Sequence, residues 1–318
     1  MRRFAYLLFA ALLLTACDDH PQEPLRMGIN PWPGYEYLYL AERLKLFEQE
    51  GVQVRVVQFS SLNDARRAYE RGQIDGFGGT LVELLMSRQN SPRQAQVVYV
   101  PDYSNGGDLI VAHHRFNTLE ELKGQRIAVE PGTLNTYVLT RALENHGLKI
   151  TDVQLVALPQ PDMQRALERR DIEAAVTYPP FSVEMLKHPE LHSLFDTREI
   201  PGEVLDVLVV DQQVIDSRRD EVRAMLRAFD SAFRYTHEHP DEAYAIMAER
   251  EGLSPEEFRS AIENDLKTLG LADQTRFFAE PTELLPALRN SQEVLLRSGE
   301  LSKEQPLEQL ISPVVLGL

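Results

Sequence analysis

The sequence predicts an α/β protein of two similar lobes, each built on a parallel-rich sheet with helices on both faces. A short apolar run that opens with Arg26 and closes before a proline returns a hundred residues later, opening with Arg126. A second pair of segments, 67–76 and 165–174, repeats at an offset of 98 residues. Each apolar run precedes an amphipathic helical pattern, which is typical of a buried strand followed by a helix. Strands that alternate with single helices indicate parallel sheets.

The first repeat shows this order from its beginning. Apolar residues at helical spacing predict a helix over 35–50, which Gly51 ends. A valine-rich alternating run predicts a strand over 52–59, and the Ser and Asn residues after it offer caps for a helix that ends near Arg71. The later elements of this repeat are predicted as a strand over 74–77, a helix over 81–88 and a strand over 97–100.

The second repeat has the same order with other residues. Its predicted elements are a strand over 126–129, a helix over 133–146, a strand over 153–157, a helix over 162–170 and a strand over 172–177. Parallel sheets bind ligands at the carboxyl ends of their strands. The loops that follow these strands are therefore the expected site in both lobes.

Two further apolar strand candidates, 108–112 and 204–210, fall where the chain must cross between the lobes. They divide the chain into a discontinuous lobe 1, residues 26–108 plus 206–318, and an inserted lobe 2, residues 109–205. We expect the two crossings to act as a hinge. From residue 217 onward the apolar spacing is helical, with prolines at first-turn positions, and we expect this block to pack on lobe 1.

The N-terminus has the layout of a bacterial secretory signal. Two arginines precede an apolar run over 4–14 that is too short to span a membrane. The sequence Leu-Thr-Ala-Cys17 that follows resembles the lipobox of bacterial lipoproteins, which are cut before the cysteine and acylated on it. This implies a signal peptide over 1–16, lipidation at Cys17 and a lipidated tether over 17–25, with an ordinary signal peptide as the alternative. Asp18 resembles the signal that keeps enterobacterial lipoproteins in the inner membrane.

The charge balance is acidic, with 33 Lys and Arg against 49 Asp and Glu and a formal net charge of −16. Such a field repels nucleic acid, which is therefore not an expected partner. The sequence has no nucleophile elbow, phosphate loop or His-Glu-x-x-His motif. The histidine pairs within 113–114 and 237–239 do not have the spacing of a metal site. We predict neither a metal nor a cofactor.

The strand-end loops carry aromatic rings, small hydroxyls and acids, which are the groups that a small-molecule clamp needs. The candidate ligand-binding residues are Asn30, Trp32, Tyr35, Ser60, Thr80, Asp102, Tyr103, Asp108, Glu130, Thr133, Tyr137, Tyr178, Phe181 and Asp206. Trp32 is the single tryptophan and stands between two prolines in a loop, which favours a ligand contact over a place in the core.

Several segments carry a resemblance to a known family. They are the sequence Trp32-Pro-Gly-Tyr, residues 40–51, the turn at 72–75, residues 122–128 and Pro-Pro-Phe181. With the double lobe and the lipobox, they resemble the periplasmic solute-binding proteins of ABC importers, and among these the group for taurine, aliphatic sulfonates, nitrate and thiamine precursors. The resemblance implies the two-lobe periplasmic-binding-protein type II fold, with a ligand cleft between lobes that hinge shut on a solute.

The same resemblance implies a function. It predicts a monomeric, non-enzymatic protein, anchored at the periplasmic face of the inner membrane, that hands its solute to an ABC permease. A periplasmic sensor that regulates a membrane signalling protein is the alternative. The group also includes fungal thiamine-pyrimidine synthases, which are enzymes with clustered cysteines, whereas Cys17 is the only cysteine of this chain.

The loops also predict the charge of the solute. Asp102, Asp108, Glu130 and Asp206 stand among aromatic residues, and few basic residues accompany them. Carboxylates with aromatic faces suit a cation through charge pairing and cation–π attraction. We therefore expect an amine- or aminopyrimidine-like solute. A sulfonate or other organic anion, which needs helix N-termini, hydroxyls and usually a cation, is the alternative.

Overall fold

The computed structural model describes residues 23–318 and contains two five-stranded sheets. The first sheet consists of β1 (Leu25–Ile29), β2 (Val54–Gln58), β3 (Gly76–Thr80), β4 (Ala95–Tyr99) and β11 (Asp206–Asp211). The second consists of β6 (Leu109–His113), β7 (Arg126–Val129), β8 (Gln154–Ala157), β9 (Ala174–Thr177) and β10 (Leu191–Asp196). The predicted two-lobe α/β fold is confirmed. The predicted signal peptide, Cys17 and most of the tether lie outside the described residues.

Helices connect the strands and form most of the C-terminal third. Those before β11 are α1 (Glu36–Arg43), α2 (Leu46–Gln49), α3 (Leu62–Glu70), α4 (Leu81–Asn90), α5 (Leu134–Asn145), α6 (Gln160–Glu168) and α7 (Phe181–Leu186). Those after it are α8 (Gln212–Ser217), α9 (Arg219–Glu238), α10 (Pro240–Glu251), α11 (Pro255–Asp265), α12 (Thr275–Phe278) and α13 (Leu284–Ser298). Among residues 23–318, no helix combines the length and apolarity that crossing a membrane requires.

The two sheets have matching strand orders. The first is β2-β1-β3-β11-β4, and the second, read in the same sense, is β8-β7-β9-β6-β10. The first three strands of each are parallel, and the fourth runs antiparallel to both of its neighbours. This fourth strand, β11 or β6, is in each case the first sheet strand after the chain changes lobe. The crossings themselves therefore precede the strands that the sequence pattern marked at 108–112 and 204–210.

The two crossings run side by side. The backbone N–H of Ser104 donates to the carbonyl of Val204 at 3.0 Å, and Tyr103 and Leu205 form an antiparallel bridge. A short pair of strands, β5 (Asp102–Ser104) and β12 (Leu266–Thr268), adds the helical block to this junction. The proposed hinge thus has three backbone segments rather than two.

An arginine–carboxylate clamp ties the strands of each repeat together. In lobe 1, the backbone N–H and the guanidinium of Arg26 both donate to the carboxylate of Asp75, with N–O distances of 2.7–3.1 Å. In lobe 2, Arg126 donates to Glu173 through the same groups at 2.8–3.2 Å. These are the residues that the sequence repeat aligned. Each clamp joins the beginning of one strand to the turn before its neighbour, on the side away from the cleft.

The structure changes two details of the predicted helices. The helix predicted over 35–50 is two helices, because Lys45 has a φ of 57° in the left-handed region and interrupts the hydrogen-bond ladder. The C-terminal block does pack on lobe 1, where Tyr37 of α1 meets Phe229 of α9 edge-on, with ring centroids 5.5 Å apart. Its last helix also reaches lobe 2, since Asn290 of α13 donates to the hydroxyl of Tyr137 at 3.0 Å.

Candidate functional site

An enclosed cavity lies between the lobes, at the carboxyl ends of strands from both sheets. Aromatic, aliphatic, polar and acidic side chains line it: Asn30, Trp32, Tyr35, Leu62, Thr80, Asp108, Leu134, Tyr178 and Asp206. The side chains close around it so tightly that it has room for about one water. Among these described lining residues, none is Lys, Arg or His. The structure is therefore a closed form with an acidic, aromatic interior.

Three aromatic rings form one wall of the cavity. Trp32 meets Tyr178 of lobe 2 edge-on, with ring centroids 6.1 Å apart, and it tilts against Tyr35 at 6.5 Å. A short 3-10 turn, Pro33–Tyr35, holds the two lobe 1 rings after β1. A Cβ on Gly34 would lie 1.8 Å from a carboxylate oxygen of Asp102. Only glycine lets this turn approach the acid so closely.

Three aspartates from the crossing regions converge behind and beside these rings. The indole N–H of Trp32 donates to one oxygen of Asp102 at 3.2 Å, and the hydroxyl of Tyr35 donates to Asp206. The backbone N–H of Asp108 donates to the hydroxyl of Ser104 at 3.0 Å. The Oδ2 atom of each aspartate is fully buried and receives no hydrogen bond from a donor group among residues 23–318. Asp108 and Asp206 line the cavity, so their Oδ2 atoms are available to a donor that the protein does not supply.

Burial governs the ionisation of these acids. It raises the pKa of Asp108 to about 7, and it raises that of Asp102 to about 7 even though hydrogen bonds from Asp206 and Trp32 favour the charged form. Burial raises the pKa of Asp206 well above its ordinary value, and the charges of Asp102 and Asp108 raise it further. Burial and the neighbouring carboxylates therefore favour the neutral form of Asp206.

Lobe 2 adds a fourth acid near the cavity. Burial raises the pKa of Glu130 to about 7, although a hydrogen bond from Ser61 of lobe 1 opposes this shift. The Oε2 atom of Glu130 is buried without a protein donor among the described residues. Its backbone N–H donates to the Oδ1 atom of Asn135, which also accepts from Gln160 at 2.7 Å. The side chain of Glu130 thus projects from a loop that hydrogen bonds hold in place.

A buried glutamate of lobe 1 joins the first turns of two helices. One oxygen of Glu83 accepts from the backbone N–H of Thr80 at 2.9 Å and from its hydroxyl at 2.6 Å, which completes a capping box on α4. The other oxygen accepts from the backbone N–H of Leu134, the first residue of α5, at 2.8 Å. That second hydrogen bond crosses the cleft.

The comparisons with known proteins agree with this architecture. A sequence model described as the NMT1-like family matches residues 18–250. The chain belongs to the NMT1-like family. The family resemblance predicted from the sequence is thereby confirmed.

Relatives of this NMT1-like protein include bacterial binding proteins. An aliphatic sulfonates-binding protein of Escherichia coli (strain K12) is 24% identical over 256 residues, 78% of either chain. The taurine-binding periplasmic protein of the same organism is 25% identical over 199 residues, 61% of either chain.

Solved structures show the same fold. The alkanesulfonate-binding protein SsuA of Xanthomonas axonopodis pv. citri, bound to MOPS, has a TM-score of 0.76 at 16% identity, covering 91% of this chain and 98% of that one. A desulfurization enzyme, DSZB, has a TM-score of 0.64 at 15% identity, covering 92% and 97%. At these identities the likeness is one of fold.

Most of the predicted site residues of the NMT1-like chain come together at the cleft. Those that line the cavity are Asn30, Trp32, Tyr35, Thr80, Asp108, Tyr178 and Asp206. Asp102 lies directly behind Trp32, and Glu130 lies next to Ser61. Thr133 caps α5 through its hydroxyl and does not line the cavity.

Four predicted residues lie elsewhere. Ser60 is exposed and donates to Asp64, while its neighbour Ser61 faces inward. Tyr103 lines a surface depression beside the crossings, and Tyr137 donates to Glu203 at 3.0 Å. Phe181 packs edge-on against the outer side of Tyr178, with centroids 5.7 Å apart.

Sequence reasoning missed three residues at the cleft. Leu62 and Leu134 are the first residues of α3 and α5 and supply aliphatic surface to the cavity. Glu83 was passed over as an ordinary helix residue. The spacing Thr80-x-x-Glu83 is a capping-box pattern that could have marked it.

Proposed function

We propose that this protein binds a small cationic solute, of the amine or aminopyrimidine kind, between its lobes and delivers it to an ABC importer. The observation that carries the proposal is the pair of buried, unpartnered carboxylate oxygens on Asp108 and Asp206, which both line the cavity. A buried polar atom without a partner is costly, so a ligand with several N–H donors is stabilised here. The rings of Trp32 and Tyr178 add cation–π attraction of about 0.5–2 kcal/mol each.

An organic anion is the second candidate, because two of the relatives are named for sulfonates or taurine. A sulfonate needs hydrogen-bond donors and a positive field at the cavity. The cavity offers two carboxyl groups beside the unpartnered hydroxyl of Tyr178, and no basic side chain among its described lining residues. The local chemistry therefore favours the cation over the anion.

The transport role draws on the family and on the binding proteins among its relatives. We infer a location at the periplasmic face of the inner membrane, anchored by acylated Cys17, and action as a monomer that meets an ABC permease. A sensor that regulates a membrane signalling protein would use the same clamp. Uptake of the identified solute by cells that lack the gene decides between them, since lost uptake supports import and intact uptake supports sensing.

We infer that the protein is not an enzyme. The fold occurs in an enzyme, DSZB, so fold alone does not decide the matter. The only cysteine, Cys17, precedes the described residues, and no cysteine stands at the cavity they form. Recovery of an unchanged solute after prolonged incubation with purified protein is the expected result.

Calorimetry tests the ligand class. Putrescine, agmatine, an aminopyrimidine, taurine and an alkanesulfonate are titrated into the wild type, Asp108→Asn and a control, Asp216→Asn, on the surface of lobe 1. We expect an amine or aminopyrimidine to bind, and Asp108→Asn to weaken it by about 10- to 100-fold, the size of one charge-assisted hydrogen bond. Tight binding of a sulfonate that survives Asp108→Asn would overturn the cation proposal.

A further inference from the structure

The buried side chain of Glu83 makes more hydrogen bonds than its helix requires. A capping box uses one carboxylate oxygen on the N-cap residue, which here is Thr80. The second oxygen extends across the cleft to the backbone N–H of Leu134 at 2.8 Å. Both partners are buried, so the contact is fully removed from water.

The first turn of α5 is the place in lobe 2 where an anion would be bound. Helix N-termini attract anions because their first N–H groups lack partners within the helix. Here the protein already occupies these groups: Leu134 donates to Glu83, Asn135 to the hydroxyl of Thr133 at 3.3 Å, and Thr136 to the carbonyl of Thr133 at 3.3 Å. A solute anion finds no free donor among these three groups.

The same cavity is lined by unpartnered acceptors. Asp108 and Asp206 line it, and their Oδ2 atoms are buried without a hydrogen-bond donor among residues 23–318, as is the hydroxyl of Tyr178. The backbone N–H groups of the helix N-terminus are thus occupied by the protein, while two carboxylate oxygens of the lining are not. Glu83 is the one acid in this region whose two oxygens are both satisfied by the protein.

We propose that Glu83 is a specificity-determining residue that takes the place of an anionic solute: its carboxylate fills the α5 N-terminus, holds the lobes together and rejects sulfonates. This inference deepens the proposed function and rests on it for the cationic solute. Because the chain itself supplies this carboxylate, the closed form contains a hydrogen bond between the lobes that does not depend on ligand. It also places a negative charge where a sulfonate group would otherwise bind.

Two variants separate the charge from the hydrogen bond. Glu83→Gln keeps an acceptor for Leu134 and removes the charge, while Glu83→Ala removes both. The matched control is Glu257→Gln, because Glu257 of α11 also crosses to lobe 2, through Lys187 at 2.8 Å, but lies away from the cavity. Circular dichroism first establishes that each variant is folded, and Glu83→Gln remains informative if Glu83→Ala is not.

Methanesulfonate binding and small-angle scattering provide the two readouts. Glu83→Ala is expected to bind methanesulfonate about tenfold or more tighter than the wild type, because a charge-bearing site is freed at a helix N-terminus. Without ligand its radius of gyration should exceed that of the wild type. Glu83→Gln should gain anion affinity and stay closed. The control should match the wild type in both.

Unchanged anion affinity together with an unchanged radius in both Glu83 variants would overturn this inference. That result leaves the cation proposal standing, since amine binding by the wild type tests it separately. Conversely, a wild type that binds methanesulfonate tightly contradicts the cationic solute, whatever the Glu83 variants do.

Discussion

The two lobes are alike at the end of their sheets that faces away from the cleft and unlike at the end that faces it. At the end away from the cleft, Arg26 donates hydrogen bonds to Asp75, and Arg126 donates to Glu173 through the same groups at similar distances. Both arginines also reach a carbonyl in the preceding turn, that of Gly72 or Arg170. The repeated segments of the sequence are therefore the ones that build the scaffold.

At the cleft the lobes have diverged. After β1, lobe 1 has a 3-10 turn that presents Trp32 and Tyr35, whereas after β7 lobe 2 has only the loop 130–133, which ends at Thr133 as the cap of α5. Lobe 1 contributes aromatic rings and acids, and lobe 2 contributes a helix N-terminus that Glu83 fills. The residues that the two lobes share thus stabilise the fold, and the residues that differ between the lobes form the cleft.

Removing either clamp carboxylate is expected to have the largest effect. In Asp75→Ala and Glu173→Ala, a backbone N–H loses its acceptor, which costs about 1–3 kcal/mol of the free energy of unfolding, and the half-exposed arginine adds little because solvent screens it. If the lobes are equivalent, the two losses agree within about 0.5 kcal/mol. Urea unfolding followed by the fluorescence of Trp32, the single tryptophan, measures both. A loss in only one variant would show that the clamps are not equivalent.

The clamps also predict a loss of stability in acid. Burial alone would raise the pKa of Asp75 and of Glu173, but hydrogen bonds from Arg26 and Arg126 outweigh it and hold each pKa below its ordinary value. Their stabilisation is therefore present above the unfolded pKa, near 4, and is lost as pH falls through the folded pKa. Asp75→Asn and Glu173→Gln should flatten the unfolding free energy between pH 5 and 3.

The ligand affinity of the cleft should also rise with pH, but in a higher pH range than the stability of the clamps. The acids near the solute are Asp102, Asp108, Asp206 and Glu130, with the raised pKa values given above, together with Glu83 and the hydroxyl of Tyr35. A cation binds their ionised forms, so binding releases protons and tightens as pH rises through about 7. For each proton that binding releases, we expect the affinity to rise about tenfold, or about 1.4 kcal/mol, per pH unit.

Calorimetry of the identified amine at pH 6, 7 and 8, in two buffers of different ionisation enthalpy, measures that proton release. An affinity that falls with rising pH would contradict binding of the amine by ionised acids.

A smaller effect is expected at the helix caps that differ between the lobes. Thr133 caps α5 of lobe 2, and Ser61 caps α3 of lobe 1. Thr133→Ala and Ser61→Ala should each cost about 1 kcal/mol of stability. Ser61→Ala should also change the affinity for solute, because Ser61 contacts Glu130. Equal affinities in both variants would place Glu130 outside the binding site.

The smallest effect is expected from the ion pair that joins the lobes at the surface. Lys187 lies 2.8 Å from Glu257, but both side chains are substantially exposed, at 50% and 31%. Exposed pairs contribute about 0–1 kcal/mol, and salt screens them. Lys187→Ala should lower the unfolding free energy by less than about 1 kcal/mol, and the difference should vanish in 1 M NaCl. A larger loss would mean that this contact, rather than Glu83, holds the closed form.

Local pattern was sufficient to predict the repeated strands and helices. The runs after Arg26 and Arg126 have the periodicity that forms a buried strand and then a helix, and this is a property of neighbouring residues. Strand order depends instead on residues that are distant in the sequence. Nothing near Asp206 indicates that β11 enters the sheet between β3 and β4.

The sequence was sufficient to predict which loops form the candidate site, but less so to predict which residues of those loops face it. A strand end can be located from the sequence, but adjacent residues of an extended segment point in opposite directions. Asp102 is therefore buried behind Trp32 while Tyr103 faces outward, and Ser61 turns inward while Ser60 stays in solvent. The contact of Glu83 with Leu134 depends on how closely the lobes approach each other, which no local pattern records.

The place of β11 also dictates the order in which the chain can be completed. Lobe 2 has all of its strands once residue 196 has been synthesised, whereas lobe 1 must wait for β11 to end at Asp211. Until then β3 and β4 have no partner between them, since they do not pair with each other. The lobe that the ribosome begins first is therefore the last that can finish, and its sheet stays open while residues 100–205 are synthesised.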